Sequence, residues 1–181
     1  ASVVIWTTTP WTIPGNRAIS YSSRISYGLY EITEAPDENW ARTGDRLILA
    51  DALADDVMGS ARATSWNRVS DVAPGLLADM ACAHPLAAMG YDFDIPALPA
   101  DFVEMETGTG FVHIAPGHGA DDWELGTAHD IAVPDTVGGD GLYFDHVPLF
   151  AGKHVFKVNP EVVETLKDAG GLLASGKLVH S

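Results

Sequence analysis

Two stretches of this chain place polar side chains at spacings that chemistry could use. The first is W-T-T-T-P-W-T-I-P-G-N, from Trp6 to Asn16. If the approach to it is a strand, Thr7 and Thr9 point to one face and Thr8 to the other. Trp11 continues on the Thr7/Thr9 side if the chain stays extended past Pro10, which cannot donate to a ladder. The plain alternative is that β-branched threonines simply suit a strand. The second stretch is G-T-G-F-V-H-I-A-P-G-H-G-A-D-D-W, from Gly108 to Trp123. There a strand delivers His113 to its end, Ala115-Pro116-Gly117 turns the chain, and Gly119 leads into a helix whose first turn carries Asp121 and Asp122. Backbone N–H groups and the dipole at a helix start favour an ionised carboxylate. Such an aspartate, partly enclosed, is a seat for an ammonium group. The alternatives are a helix cap for either aspartate and a turn role for His118. A metal held by His113, His118 and Asp122 is a further reading, at a spacing that matches no established ligand motif.

Other chemical signatures are missing from the sequence. It contains no H-E-x-x-H, no G-x-S-x-G and no phosphate-binding G-K-[ST]. Gly108-Thr-Gly110-Phe-Val-His113 opens like a dinucleotide fingerprint but ends on histidine. His84, His129, His146, His154 and His180 read as structural or exposed.

The elements that must position these residues are short. Residues 3–9, 25–32, 47–50, 66–72 and 76–82 read as strands, with a helix over 51–58 that starts near Asp51. The segment 91–101, punctuated by prolines, reads as a connection. Phe102–Met105 and Gly110–Ile114 read as a strand pair joined by E-T-G-T. A helix is expected over Ala120–Ile131. Another follows Asn159-Pro160-Glu161, with Asn159 as its cap, and ends at Gly170-Gly171. The last residues read as a return strand. Many short strands with few helices predict an α+β fold, a β-barrel-like core with peripheral helices, in one domain spanning 1–181.

Composition narrows the function. The chain has 181 residues and a formal charge of −15; its four lysines all follow residue 150 and its arginines lie between 17 and 68. So acidic a chain cannot neutralise many phosphates, which excludes a firm grip on a long nucleic-acid helix and leaves a short single-stranded end or a small cationic group. A single cysteine, Cys82, excludes an intrachain disulfide and fits a reducing, cytoplasmic setting. No apolar run has the length of a membrane span. The start at Ala1-Ser2-Val3-Val4 reads as the cut edge of a larger protein.

Together the two stretches resemble the paired signatures of the editing (CP1) domain inserted into class I isoleucyl-tRNA synthetases. H-P-L at 84–86, F-A-G-K-H-V at 150–155 and the helix after it extend the resemblance in the same order, so that it covers nearly the whole chain. Thr7-Thr8-Thr9-Pro10 resembles the isoleucyl form, where the valyl and leucyl domains carry T-T-R-P. Trp123 departs from the pattern, in which tyrosine is commoner. The resemblance implies hydrolysis of valine mischarged to tRNA(Ile), and of valyl-adenylate, without cofactor or metal. It implies that Asp122 holds the substrate ammonium group and that Thr7, Thr8 and Thr9 line the site and help place water. Trp11 and Asn16 complete the wall, and His113 contacts the amino-acid side chain and helps exclude isoleucine. The implied partners are the tRNA 3′ end and the rest of a synthetase chain, with the isolated domain a monomer. A valyl- or leucyl-type editing domain, and a tRNA-end binding module without hydrolysis, are the competing readings.

Overall fold

In the computed structural model, which describes residues 1–103 and 106–175, eight strands form two four-stranded sheets. The first sheet contains β1 (Ser2–Val3), β4 (Arg46–Ala50), β3 (Tyr27–Glu34) and β5 (Ser65–Val72), in that order. The second runs β6 (Ala81–Ala83), β7 (Asp94–Pro99), β2 (Ala18–Tyr21) and β8 (Val112–Ile114). β1 lies parallel to β4, and β7 parallel to β2; the other pairs are antiparallel. The α+β class holds, but the expected β-barrel-like core does not. Closure needs every edge strand paired with another. Here the first sheet ends on two-residue β1 and largely exposed β5, and the second on three-residue β6 and β8.

The strands expected near 25–32, 47–50 and 66–72 are β3, β4 and β5. The stretch at 3–9 is not a strand beyond Val3. It runs into a 3-10 helix, Pro10–Gly15, with prolines at both positions where the sequence has them. Residues 76–82, expected as a strand, instead begin inside helix α2 (Pro74–Ala78), because Pro74 is pre-set for a first helical turn. Residues 91–101, expected as a connection, contain β7. Its first half (94–96) pairs with β6 and its second half (97–99) with β2, so no residue is paired on both sides and Pro96 and Pro99 are tolerated.

β8 pairs with β2 rather than with a strand at 102–105; Asp101 and Phe102 form a turn, and 104–105 fall outside the described residues, as does most of the expected terminal strand. Gly108 and Gly110 bend the intervening chain at φ +84° and +90°. A Cβ on Gly110 would stand 2.4 Å from that of Ala50, so the close crossing over β4 requires glycine.

Helix α1 (Ala54–Ser60) follows a 3-10 turn at Asp51–Leu53. The Asp51 carboxylate accepts from Ser26 Oγ, Tyr30 Oη and two nitrogens of Arg68, which lowers its pKa to about 2 and ties β3 and β5 to the end of β4. Helix α3 (Ala120–Ala128) stops short of Ile131. Asp130 takes φ +57°, and the Ile131 N–H returns to the Gly126 carbonyl at 2.8 Å. Helix α4 (Asn159–Asp168) ends as expected: Gly170 is left-handed and Gly171 N–H reaches the Leu166 carbonyl. Asn159 is its first helical residue rather than its cap.

The main core joins both sheets and α1 through Ile19, Tyr21, Ile32, Leu49, Met58, Ile95 and Phe111. A second cluster packs Ile13 of the 3-10 helix against Leu86, Tyr143, Phe150, Val158 and Val162. Among the described residues no helix is long and apolar enough to cross a membrane.

Candidate functional site

The two polar stretches meet where the 3-10 helix, the end of β8 and the start of α3 converge. β2 leaves the 3-10 helix and pairs with β8, Ile19 opposite His113 and Ala18 opposite Ile114. This register sets His113 beside the helix just traversed.

The threonines form a turn. The Thr9 N–H donates to Thr7 Oγ1 at 3.0 Å, which draws the two hydroxyls to 3.3 Å of each other. Thr7 and Thr9 therefore share a side, as alternation predicts, but through a side-chain-to-backbone turn rather than a pleat. Thr8 and Thr9 are exposed, and the Thr8 side chain makes no hydrogen bond among the described residues. The Thr9 carbonyl accepts from Thr12 N–H (3.0 Å) and Thr12 Oγ1 (2.8 Å).

His113 is held at both nitrogens. Asn16 Nδ2 donates to Nδ1 at 2.7 Å, so the ring proton sits on Nε2, which donates to Thr12 Oγ1 at 2.9 Å. Thr12 in turn donates to the Thr9 carbonyl. Burial lowers the His113 pKa to about 4, with His84 and His118 adding to the shift, so the imidazole is neutral at physiological pH. Its polar atoms are engaged within the protein, and its carbon edge is what it can offer a ligand. Asn16, buried, also donates to the carbonyls of Ala18 and Ile114 and serves as a brace between the 3-10 helix and β8.

Asp122 occupies the first turn of α3. Its Oδ2 accepts the Ala115 N–H at 2.9 Å, joining the helix start to the end of β8. Pro116 fixes that approach, since a Cβ on Gly126 would stand 3.0 Å from its ring. The sequence suggests a carboxyl favoured as the anion. Instead, burial pushes its pKa up, opposed by the Ala115 N–H and aided by the Asp121 charge. Among the described residues no Lys, Arg or His pairs with it. A half-buried carboxylate without a cation gains more from an incoming ammonium than an exposed one does.

Trp11 stands edge-on to His118, 4.8 Å between ring centres, and His118 Nε2 meets Thr136 Oγ1 at 3.0 Å. With His113 and His118 so engaged, a His113–His118–Asp122 metal site has no free pair of imidazole nitrogens facing one point. Among the described residues no three His, Cys, Asp or Glu side chains are grouped for a metal. A cleft of about 130 Å³ is lined by Trp6, Phe102, Thr107, Gly110, Phe111 and Val112.

Of the seven residues singled out from the sequence, Asn16 holds His113 directly, Thr9 reaches it through Thr12, and Asp122 is tied to Ala115 two residues further on; Thr7 joins Thr9, Trp11 packs on His118, and Thr8 makes no side-chain hydrogen bond among the described residues. Sequence reasoning missed Thr12, the link between Thr9 and His113, although it lies inside the first motif. It also missed Tyr143 and Asn159, which hold the 3-10 helix from far along the chain and carry no local signal of that role.

Comparison with known proteins bears on the fold and on the sequence as a whole. The fold is that of a CP1 domain: the structure matches a chain described as the crystal structure of GlLeuRS-CP1 with a TM-score of 0.71 over 97% of this chain and 83% of that one, at 14% identity. The sequence matches a segment of isoleucine–tRNA ligases. It is 50% identical to the isoleucine–tRNA ligase of Bradyrhizobium diazoefficiens over 99% of this chain, and 48% identical to that of Rhodopseudomonas palustris. The chain spans about a fifth of the length of these relatives, covering 20% of each. No family model matches it.

Proposed function

We propose that this chain hydrolyses the ester of valine mischarged to tRNA(Ile), with valyl-adenylate as a second substrate. The observation that carries the reading is the convergence of an exposed hydroxyl pair, a neutral clamped histidine and a half-buried carboxylate without a cation partner. Asp122 takes the α-ammonium group. Thr7 and Thr9 present hydroxyls, and Thr8 lies beside them, where the terminal ribose and carbonyl are bound and water is placed. The carbon edge of His113, held by Asn16, limits the length of the amino-acid side chain, and Trp11 completes the wall.

The chemistry asks little more. A hydrophobic pocket that accepts isoleucine separates valine by only about 1–3 kcal/mol, the worth of one methylene, so a second hydrolytic sieve is required. An aminoacyl ester is already activated, and oriented water with hydrogen-bond donors at the developing oxyanion supplies acceleration without a covalent nucleophile. His113 is a poor candidate for general base, because its Nδ1 lone pair is taken by Asn16.

The substrate would be presented by the rest of a synthetase chain that holds the tRNA body. Deacylation of Val-tRNA(Ile) beside Ile-tRNA(Ile), at high protein concentration, tests the reading. Preferential release of valine is expected; no hydrolysis of either ester would leave the tRNA-end binding reading.

A further inference from the structure

The segment that bears the site is short. Pro10–Gly15 is six residues of 3-10 helix, and Pro10 and Pro14 lack an N–H. Besides the bonds inside the helix, Thr12 N–H to the Thr9 carbonyl and Asn16 N–H to the Ile13 carbonyl tie its two ends. Yet it must keep Thr12 and Asn16 on the two nitrogens of His113.

Side chains from distant parts of the sequence add to its hold. The Trp11 N–H donates to Asn159 Oδ1 at 3.0 Å, and Tyr143 Oη donates to the Trp11 carbonyl. His84 Nε2 donates to the Ile13 carbonyl at 2.9 Å; its Nδ1 accepts from Leu86 N–H, which fixes that tautomer. Arg17 Nη1 closes the end on Pro14. The Trp11 peptide is thus gripped on both sides by the C-terminal third of the chain. Asn159 is free to do this because α4 does not use its side chain as a cap. Tyr143 is 2% exposed, and its ring packs 6.0 Å from that of Phe150, so the hydroxyl has a fixed origin.

We propose that Tyr143 and Asn159 are positioning residues for selectivity: by fixing the Trp11 peptide they hold the 3-10 helix, and through Thr12 and Asn16 the His113 ring, in the place where its edge separates valine from isoleucine. This rests on the hydrolytic reading above. Neither residue needs to touch the substrate. The C-terminal segment from Tyr143 to α4 is then part of the sieve, although it contributes no group to the chemistry.

The test uses Tyr143→Phe, which removes one oxygen and keeps the ring, and Asn159→Ala, with Asn159→Asp retaining an acceptor for the Trp11 N–H. Rates on Val-tRNA(Ile) and Ile-tRNA(Ile) are compared. The valine-to-isoleucine ratio should fall about tenfold in Tyr143→Phe and Asn159→Ala, the scale of loss that a small misplacement causes, and recover in Asn159→Asp. Loss of folded protein lowers both rates equally, so an unchanged ratio overturns the proposal whatever the melting temperature does. A second measurement is independent of catalysis. By nitrogen NMR, the His113 titration midpoint should rise from about 4 in the two disruptive variants as the clamp loosens. If the unaltered protein hydrolyses neither ester, the functional reading falls by itself. An unmoved His113 midpoint then removes the positioning claim as well.

Discussion

Asp122 and His113 illustrate how one site uses opposite electrostatic devices. Asp122 is kept half-buried with one N–H donor, so its charge lacks a counter-ion until a cation arrives. Asp122→Ala should reduce deacylation of Val-tRNA(Ile) by at least about a hundredfold, since it removes a charge-assisted contact and the orientation it imposes. Steady-state rates check this, and near-normal activity would remove the anchoring role. His113 and His84 are instead buried as neutral rings, each with its pKa lowered to about 4. The unfolded chain, with histidines near 6.5, takes up protons first as pH falls, so both residues should lower stability between about pH 6.5 and 4. Urea midpoints measured across that range should decline, and the slope should be shallower in His84→Gln. A slope unaffected by that substitution would contradict a neutral buried His84.

At the scale of elements, the site depends on segments that cross closely rather than on long regular structure. The Thr109 carbonyl accepts from Ala50 N–H, its Oγ1 donates to Val4, and Tyr27 Oη donates to the Gly110 carbonyl. These bonds deliver β8 to β2 in the register that places His113. Gly110→Ala would force a methyl into Ala50 at a positive φ and should cost about 2 kcal/mol or more of stability, read from urea unfolding. A loss below about 0.5 kcal/mol would mean that the crossing relaxes easily. Of the strands legible in the sequence, β4 is a short apolar run and β3 partly alternates, whereas β5 is largely polar and exposed. β7 was hidden by prolines that are tolerated because its two partners share it end to end. The 3-10 helix was hidden because threonines that favour a strand are followed by prolines that end it.

For the whole molecule, charge sets how a nucleic acid can be met. With a net charge of −15, the chain should bind deacylated tRNA weakly, with a shallow dependence on salt, because few counterions are released. Fluorescence anisotropy across a salt series measures this; tight, steeply salt-dependent binding would oppose it. The exposed Trp6 and Trp123, at 49% and 52%, and the cleft that Trp6 lines are consistent with contact through faces and hydrogen bonds at one short end.

The two motifs, the acidic balance, several of the strands and the stop of α4 at its glycine pair are legible along the chain, because each is written in neighbouring residues as periodicity, capping chemistry or composition. That the sheets stay open, that Asp122 is pushed up rather than down in pKa, and that Asn159 reaches Trp11 instead of capping its own helix follow from the folded arrangement alone. These outcomes depend on partners far along the chain: 148 residues separate Trp11 from Asn159, and 97 separate Asn16 from His113. Burial and long-range hydrogen bonding exist only once those partners meet, which is why no local pattern announces them.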